Sequence, residues 1–291
     1  MKAGEPKSVW NLAAELGEGP VWVERDEALW FVDIKKHQVH RYDPATSKKS
    51  SWEAPEQVGF VLPAERGGFV AGLESGLHHF DERTGVFDLI VKVEPDKPGN
   101  RLNDGVVDAQ GRLWFGTMDN REKAKSGAFY CFADGQLKAT GLHGIAITNG
   151  PAVSPDGRIL YFVDTLKGTI EAADIRDDGS LRERRPFARI DPKDGHPDGP
   201  TVDSEGCVWI SLYAGWEAWR YSPAGGLIDR VRFPVANITK IAFGGEDLRT
   251  AYATTARQLL TPEDIAKQPE IGDLFEFPVD APGVPCALVR Y

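Results

Sequence analysis

The sequence predicts an all-β protein, a six-bladed β-propeller with a functional site in its central channel. Three observations predict it. A phrase recurs every 40 to 49 residues, each period contains short β-branched and aromatic runs, and helical patterning is nearly missing. The phrase is clearest as "TNGPAVSPDGRILYFVDT" at 148–165, and returns as "GEGPVWVERDEALWFVDI" at 17–34 and "PDGPTVDSEGCVWISLY" at 197–213. Six copies open at Glu18, Val58, Asn103, Asn149, Asp198 and Ile238, at intervals of 40, 45, 46, 49 and 40 residues. A strand-bearing unit of this length is a propeller blade, because leucine-rich and ankyrin units are shorter and HEAT units are helical.

Within a unit the strands follow in order. "ALWFVDI", "RLWFGTM", "ILYFVDT" and "CVWISLY" are entered by turns such as Asp156-Gly157, Gln110-Gly111 and Glu205-Gly206. A further run follows each: "QVHRYDP", "GAFYCFADG", "TIEAADI" and "AWRYSP". The 31 glycines and 20 prolines fall mostly between runs, where hairpins need them. One short helix is expected over 261–268, with Thr261 as N-cap and Pro262 at the first helical position. Each unit supplies three or four antiparallel strands. No linker interrupts the pattern, so residues 1–291 are expected to form one domain. Ring closure must hide the edge between the last and first blades. Two strand-like runs are left over, "SVWNLAA" near the start and "CALVRY" at the end. The first is expected to add an outer strand to the last blade; closure by the second is the alternative.

Composition narrows the function classes. Hydrophobic residues make up 41% and charged residues 27%, as in an ordinary globular protein. A net charge of −10 would be repelled by nucleic acid and by anionic membranes, so neither is expected as a partner. No apolar run reaches 18 residues and "MKAGEPKSVWNLAAELGEG" has no signal-peptide core. Three widely spaced cysteines, Cys131, Cys207 and Cys286, fit a reducing compartment and small buried thiols. A cytoplasmic location is therefore expected.

The opening residue of each copy locates the site. Innermost strands line the channel, so residues at one phase of the repeat share one depth about its axis. Glu18, Asn103, Asn149 and Asp198 should therefore converge at one mouth. Two carboxylates and two amides are hard oxygen donors, suited to Ca²⁺, Mg²⁺ or Mn²⁺, with Zn²⁺ or Fe²⁺ also possible. The competing reading is that "NDG", "NGP" and "DGP" are plain strand-entry turns. Glu18 in "EGP" fits that reading worst, and apolar Val58 and Ile238 show that the fold itself does not demand polarity there.

At these residues the chain resembles the gluconolactonase family, which includes regucalcin (senescence marker protein) and luciferin-regenerating enzyme. The resemblance rests on "LGEGPVW" at 16–22, "NRLNDGVVDAQGRLWFGTM" at 100–118, "TNGPAVSPDGRILYFVDT" at 148–165 and "PDGPTVDSEGCVWISL" at 197–212. "NITK" at 237–240 and "TTAR" at 254–257 look most like bacterial sugar lactonases. The resemblance implies a six-bladed propeller that hydrolyses a sugar lactone with one divalent metal ion. It implies Glu18, Asn149 and Asp198 as metal ligands, Asn103 beside metal and substrate, and Arg101 as the lactone-binding arginine. Some members carry a substrate-contacting glutamate just after "GTM". Here the stretch is "GTMDNREKAKSG", which leaves Asp119, Asn120 or Arg121 in that neighbourhood and the sugar open.

The reaction so implied has the metal polarising the lactone carbonyl while Asp198 serves as general base for water. Arg101 and Asn103 would bind sugar oxygens, unless Arg101 is instead a structural partner of a carboxylate such as Asp104. No G-x-S-x-G, H-E-x-x-H, G-x-G-x-x-G or phosphate-loop motif competes. The histidines at 37, 40, 78, 79, 143 and 196 show no ligand spacing, and a loop role is expected for His196. Trp216 and Trp219 offer a pocket wall, although blade packing is the commoner fate of such residues. A non-sugar lactone or aryl ester, a calcium-binding regulatory role and an interaction scaffold remain as alternative functions. No protein partner is implied.

Overall fold

The computed structural model describes residues 3–291. Six four-stranded antiparallel sheets follow one another around a ring. Each begins with a strand on the channel: Gly17–Val23, Val58–Pro63, Asn100–Val107, Thr148–Val153, His196–Val202 and Ile238–Gly244. We number the blades 1 to 6 in that order. Each inner strand packs on the next, and the strand of blade 6 meets that of blade 1, which closes the ring.

The repeated phrase explains itself in the backbone. Every inner strand carries a register break just after its opening residue, at Glu18/Val21, Val58/Phe60, Leu102/Gly105, Asn149/Ala152, Asp198/Thr201 and Ile238/Lys240. A bulge leaves residues unpaired and re-aims the side chain before it. Proline is tolerated in a strand at such a break, since the ladder needs no donor there. Gly19 and Gly150 take φ of +55° and +76°, which an L side chain rarely adopts. Gly-Pro after an oxygen-bearing residue is therefore a bulge motif that turns that residue toward the channel.

The second half of the phrase fixes the blade. Asp108 Oδ1 accepts from the amides of Gln110 and Arg112 at 3.0 Å each, while Oδ2 accepts from Trp114 Nε1 at 2.8 Å. Asp203 repeats this with Glu205, Cys207 and Trp209, and adds Arg220 Nε at 2.7 Å. The "D-x-x-G-x-V/L-W" spacing thus ties the first hairpin turn to the core tryptophan of the next strand. Hydroxyls then stitch blades together: Thr148 Oγ1 donates to Thr117 O (2.9 Å), Thr201 Oγ1 to Ile241 O (2.6 Å) and Thr239 Oγ1 to Gly17 O (2.6 Å).

Closure uses the N-terminal run, as expected. Lys7–Trp10 pairs antiparallel with Leu274–Pro278 as the outer strand of blade 6. The C-terminal run closes nothing. It crosses the opposite end of the propeller, where Pro282 O accepts from Ser204 N, Gly283 N donates to Leu248 O, and Val289 bonds Pro63 and Glu65. The expected helix forms at Pro262–Lys267, and Thr261 caps it reciprocally with Asp264. Cys131 and Cys207 are buried free thiols as expected, but Cys286 is only half-buried. Burial pushes the Cys131 thiol up to about 12, which keeps it protonated. No described helix is long and apolar enough to cross a membrane.

Candidate active site at the channel mouth

One cavity of about 360 Å³ opens at the end of the channel where the inner strands begin. Glu18, Asn103, Asn149 and Asp198 all line it, and all four are buried. Four residues spread over 180 positions of sequence thus meet at one place. The first turn of each bulge anchors them. Glu18 Oε2 accepts from Gly19 N at 2.8 Å and Asp198 Oδ1 from Gly199 N at 2.9 Å. Asn103 Nδ2 donates to Thr148 O (2.6 Å) and Asn149 Oδ1 (3.0 Å), and Asn149 Nδ2 donates to Thr165 Oγ1 (2.9 Å). Both amides are therefore oriented by the protein: Asn149 turns its oxygen inward and its nitrogen outward.

Electrostatics mark the two carboxylates. Burial, then the charge of Asp104, pushes Glu18 up to about 7. Burial, then the charge of Glu18, raises Asp198 well above the usual carboxylate range. Two carboxyls in one dry site cannot both ionise without a compensating cation. The nearby cations do not pair with them. Lys240 Nζ donates to Asp104 Oδ1 at 2.5 Å, and Arg101 Nη1 donates to Asn103 Oδ1 (2.6 Å) and Leu102 O (3.1 Å). Among the described residues no three His, Cys, Asp or Glu side chains cluster. The donor set is instead two carboxylates completed by the inward amide oxygen of Asn149. Such an oxygen set, two carboxylates without a paired cation, fits a hard divalent ion.

Arg101 is not paired with Asp104. Asp104 binds Lys240 from blade 6 and accepts from the amides of Gly105 and Gly150. Blades 3 and 6 face each other across a six-membered ring, so this buried pair spans the channel beneath the site. Arg101 is itself buried on the cavity wall, and its Nε has no partner in the protein.

The stretch after "GTM" departs from expectation. Asp119 Oδ2 accepts from the amides of Lys123 (3.0 Å) and Ala124 (2.7 Å), which pins its own loop. Asn120 Oδ1 accepts from Lys35 Nζ at 2.9 Å on the rim. Neither lines the cavity. The loop turns back over Asp119 and delivers Glu122, at φ +61°, to the cavity wall, where Gln258 Nε2 donates to its Oε1 at 2.9 Å. Glu122, Gln258 and Lys240 were not legible as site residues. His196, expected in a loop, also lines the cavity, whereas Trp216 and Trp219 do not. Trp219 packs in its blade under Arg230, 4.4 Å from the ring centre, and Trp216 sits beneath Arg232.

The fold and the site together define a class: a six-bladed propeller whose channel mouth holds a buried cluster of oxygen donors. Comparison with known proteins narrows it. Residues 16–257 match the family model described as SMP-30/Gluconolactonase/LRE-like region, and the chain belongs to that family. It is 37% identical to an L-arabinolactonase of Azospirillum brasilense over 94% of this chain and 91% of that one. It is 34% identical to a 6-deoxy-6-sulfogluconolactonase of Pseudomonas putida, over 95% and 96%. A solved structure of a calcium-binding protein, regucalcin, from Agrobacterium tumefaciens superposes with a TM-score of 0.95 at 28% identity, covering 99% of this chain and 98% of that one.

Proposed function

We propose that this protein hydrolyses a sugar lactone at the channel mouth, with one divalent cation held by Glu18, Asn149 and Asp198. One observation carries the reading: two buried carboxylates, both pushed above the usual range, and the amide oxygen of Asn149 share one cavity, and no side-chain cation forms an ion pair with the carboxylates. The lactonase names of two bacterial relatives support the reaction class. When bound, the cation supplies Lewis acidity at the lactone carbonyl.

The chain's own residues supply the rest. Arg101 brings its guanidinium charge to the cavity wall for a substrate oxygen inside a dry site, where a charged donor counts for more than in water. Asn103, locked by Thr148 and Asn149, donates nothing further and sets the position of Arg101 through Oδ1. Asp198 takes a proton from the attacking water as the new C–O bond forms. That proton passes to the ring oxygen as the ring C–O bond breaks, and the product is the open hydroxy acid. Glu122 stands on the same wall as Arg101 and accepts from substrate hydroxyls. Its roles and those of Arg101 replace the ones expected of Asp119 and Asn120.

The test is acid release from D-xylono-, L-arabinono-, D-galactono- and D-glucono-lactone. Metal-stripped protein is compared with protein given Ca²⁺, Mn²⁺, Zn²⁺, Mg²⁺ or Fe²⁺. Turnover above background that metal restores and Glu18→Gln abolishes is expected. Background rates from folded, ion-binding protein would sink the lactonase reading and favour a binding role.

A further inference from the structure

The cavity wall is divided. On the side of blades 1 to 3 it carries the charged groups, set beside apolar Leu16 and Met118. Lys35 Nζ donates to Gln57 Oε1 (3.0 Å) and Asn120 Oδ1 (2.9 Å) along the rim, and Arg101 and Glu122 stand below. Gln258 reaches over from blade 6 to join Glu122, and its own Oε1 is buried without a partner. On the side of blades 4 to 6 the lining is Ile147, Leu166, Ala214, Leu259 and Leu260.

The polar side chains on that second side turn their hydrogen-bonding groups into the protein. Thr165 Oγ1 donates to Pro197 O at 3.0 Å and Tyr213 Oη to Gln258 O at 2.5 Å. Asn237 Nδ2 donates to Ala256 O (3.0 Å), while its Oδ1 accepts from Ala214 N (3.2 Å). Apart from Asn149 and Asp198 of the proposed ligand set and Gln258, which reaches across to Glu122, His196 is the one lining residue there among the described residues that keeps a polar group toward the cavity.

Two further facts concern the rim. Leu259 and Leu166 are 77% and 55% exposed, the most exposed large apolar side chains among the described residues, and both stand at this one opening. Leu259 is also held at φ +66°, where glycine or asparagine would sit more easily. An exposed leucine kept in a disfavoured conformation at a pocket mouth is an outlier that points to use.

We infer that the site is built for a neutral deoxy-lactone. The ring hydroxyls face Arg101, Glu122 and Gln258, and a terminal methyl group, in place of hydroxymethyl, packs on Leu166, Leu259 and Ile147. A terminal hydroxyl set against Leu166, Leu259 and Ile147 would give up water and gain no hydrogen bond from them, which is what disfavours it. An anionic terminus such as a sulfonate would meet no lysine or arginine there, since Arg101 is the only one lining the cavity among the described residues. This inference rests on the lactonase reading.

Matched lactone pairs that differ only in the terminal carbon, CH₃ against CH₂OH, test it in the galacto and manno configurations. The metal-supplemented full chain should favour the CH₃ member in kcat/KM by roughly tenfold or more in at least one configuration, the scale of one misplaced group in an apolar pocket. Leu166→Gln and Leu259→Gln should bring that ratio toward one, and both residues are exposed enough for the fold to tolerate the change. Turnover of both members with ratios within twofold, or a preference for CH₂OH, would overturn this inference and leave the lactonase reading standing. A ratio unmoved by both substitutions would overturn it as well. No turnover of any member by folded protein would overturn the lactonase reading and this inference together.

Discussion

Glu18 sets two demands that oppose each other. Its carboxylate is suited to a cation, yet burial and Asp104 push it up to about 7, so the metal-free protein keeps a proton there that the unfolded chain gives up near 4.5. The folded state then binds more protons than the unfolded state between those values, and stability falls as pH rises through that window. Glu18→Gln removes the titration. In chelator it should melt higher than the parent at pH 8 and match it at pH 4.5, whereas added Ca²⁺ or Mn²⁺ should raise only the parent. Scanning calorimetry across pH reads both. Arg101→Met should lower kcat/KM by about tenfold to a hundredfold while leaving the metal titration in place, because a single charged hydrogen bond is at stake. The site was legible at this scale wherever the repeat phase governs: Glu18, Asn103, Asn149 and Asp198 are found by counting. Glu122 was not. Counting from "GTM" assumes an extended loop, but Asp119 spends its carboxylate on three of its own loop's amides and folds that loop back. Lys240 escaped for another reason. Its partner Asp104 lies 136 residues away on the opposite blade, and no spacing along the chain announces such a pair.

At the scale of the blade, the aspartate of the turn holds the hairpin. Asp203 is fully buried and serves the amides of Glu205 and Cys207, the Trp209 indole and the Arg220 guanidinium. Asp203→Ala leaves the mostly buried Arg220 with Glu205 alone and unpairs the Trp209 indole and two amides, so a loss of about 2–4 kcal/mol in urea unfolding is expected. Asp43→Ala, at an exposed hairpin of blade 1, should leave the unfolding midpoint nearly unchanged in the same measurement. His40 works at the seam between blades 1 and 6, its ring 5.4 Å from Trp10 and 5.1 Å from Phe31. Burial pulls it down to about 4, so it is neutral in the fold. The unfolded chain binds its proton first as pH falls below about 6.5, and stability is lost between there and 4. His40→Phe should flatten that acid limb of a melting-temperature profile. Strands were readable from β-branched and aromatic runs because each blade repeats the same local instructions. The C-terminal strap was not, since a segment that crosses several blades carries no period of its own.

For the whole molecule, the outer edge of the ring's closure is the pairing of Lys7–Trp10 with Leu274–Pro278. Removing residues 1–11 uncovers the edge of Leu274–Pro278 and the faces of Phe31 and His40 that Trp10 covers. The truncated chain is expected to melt lower and to self-associate through the bare edge, measured by calorimetry and light scattering. The first strand of this joint was legible as one of two leftover runs, and the structure uses it, as expected, while the run at 286–291 crosses the far end instead.

That joint also dates the fold. Ser8 waits for Phe275, 267 positions later, so the first strand made is among the last to find its place. Bringing such distant segments together costs about 5 kcal/mol in chain entropy before any hydrogen bond repays it. A ribosome releasing this chain therefore holds an unclasped ring until Leu274–Pro278 has emerged. Blade 1 must tolerate an uncovered flank for most of its synthesis, and the finished molecule resists opening at the one place where its beginning and its end grip each other.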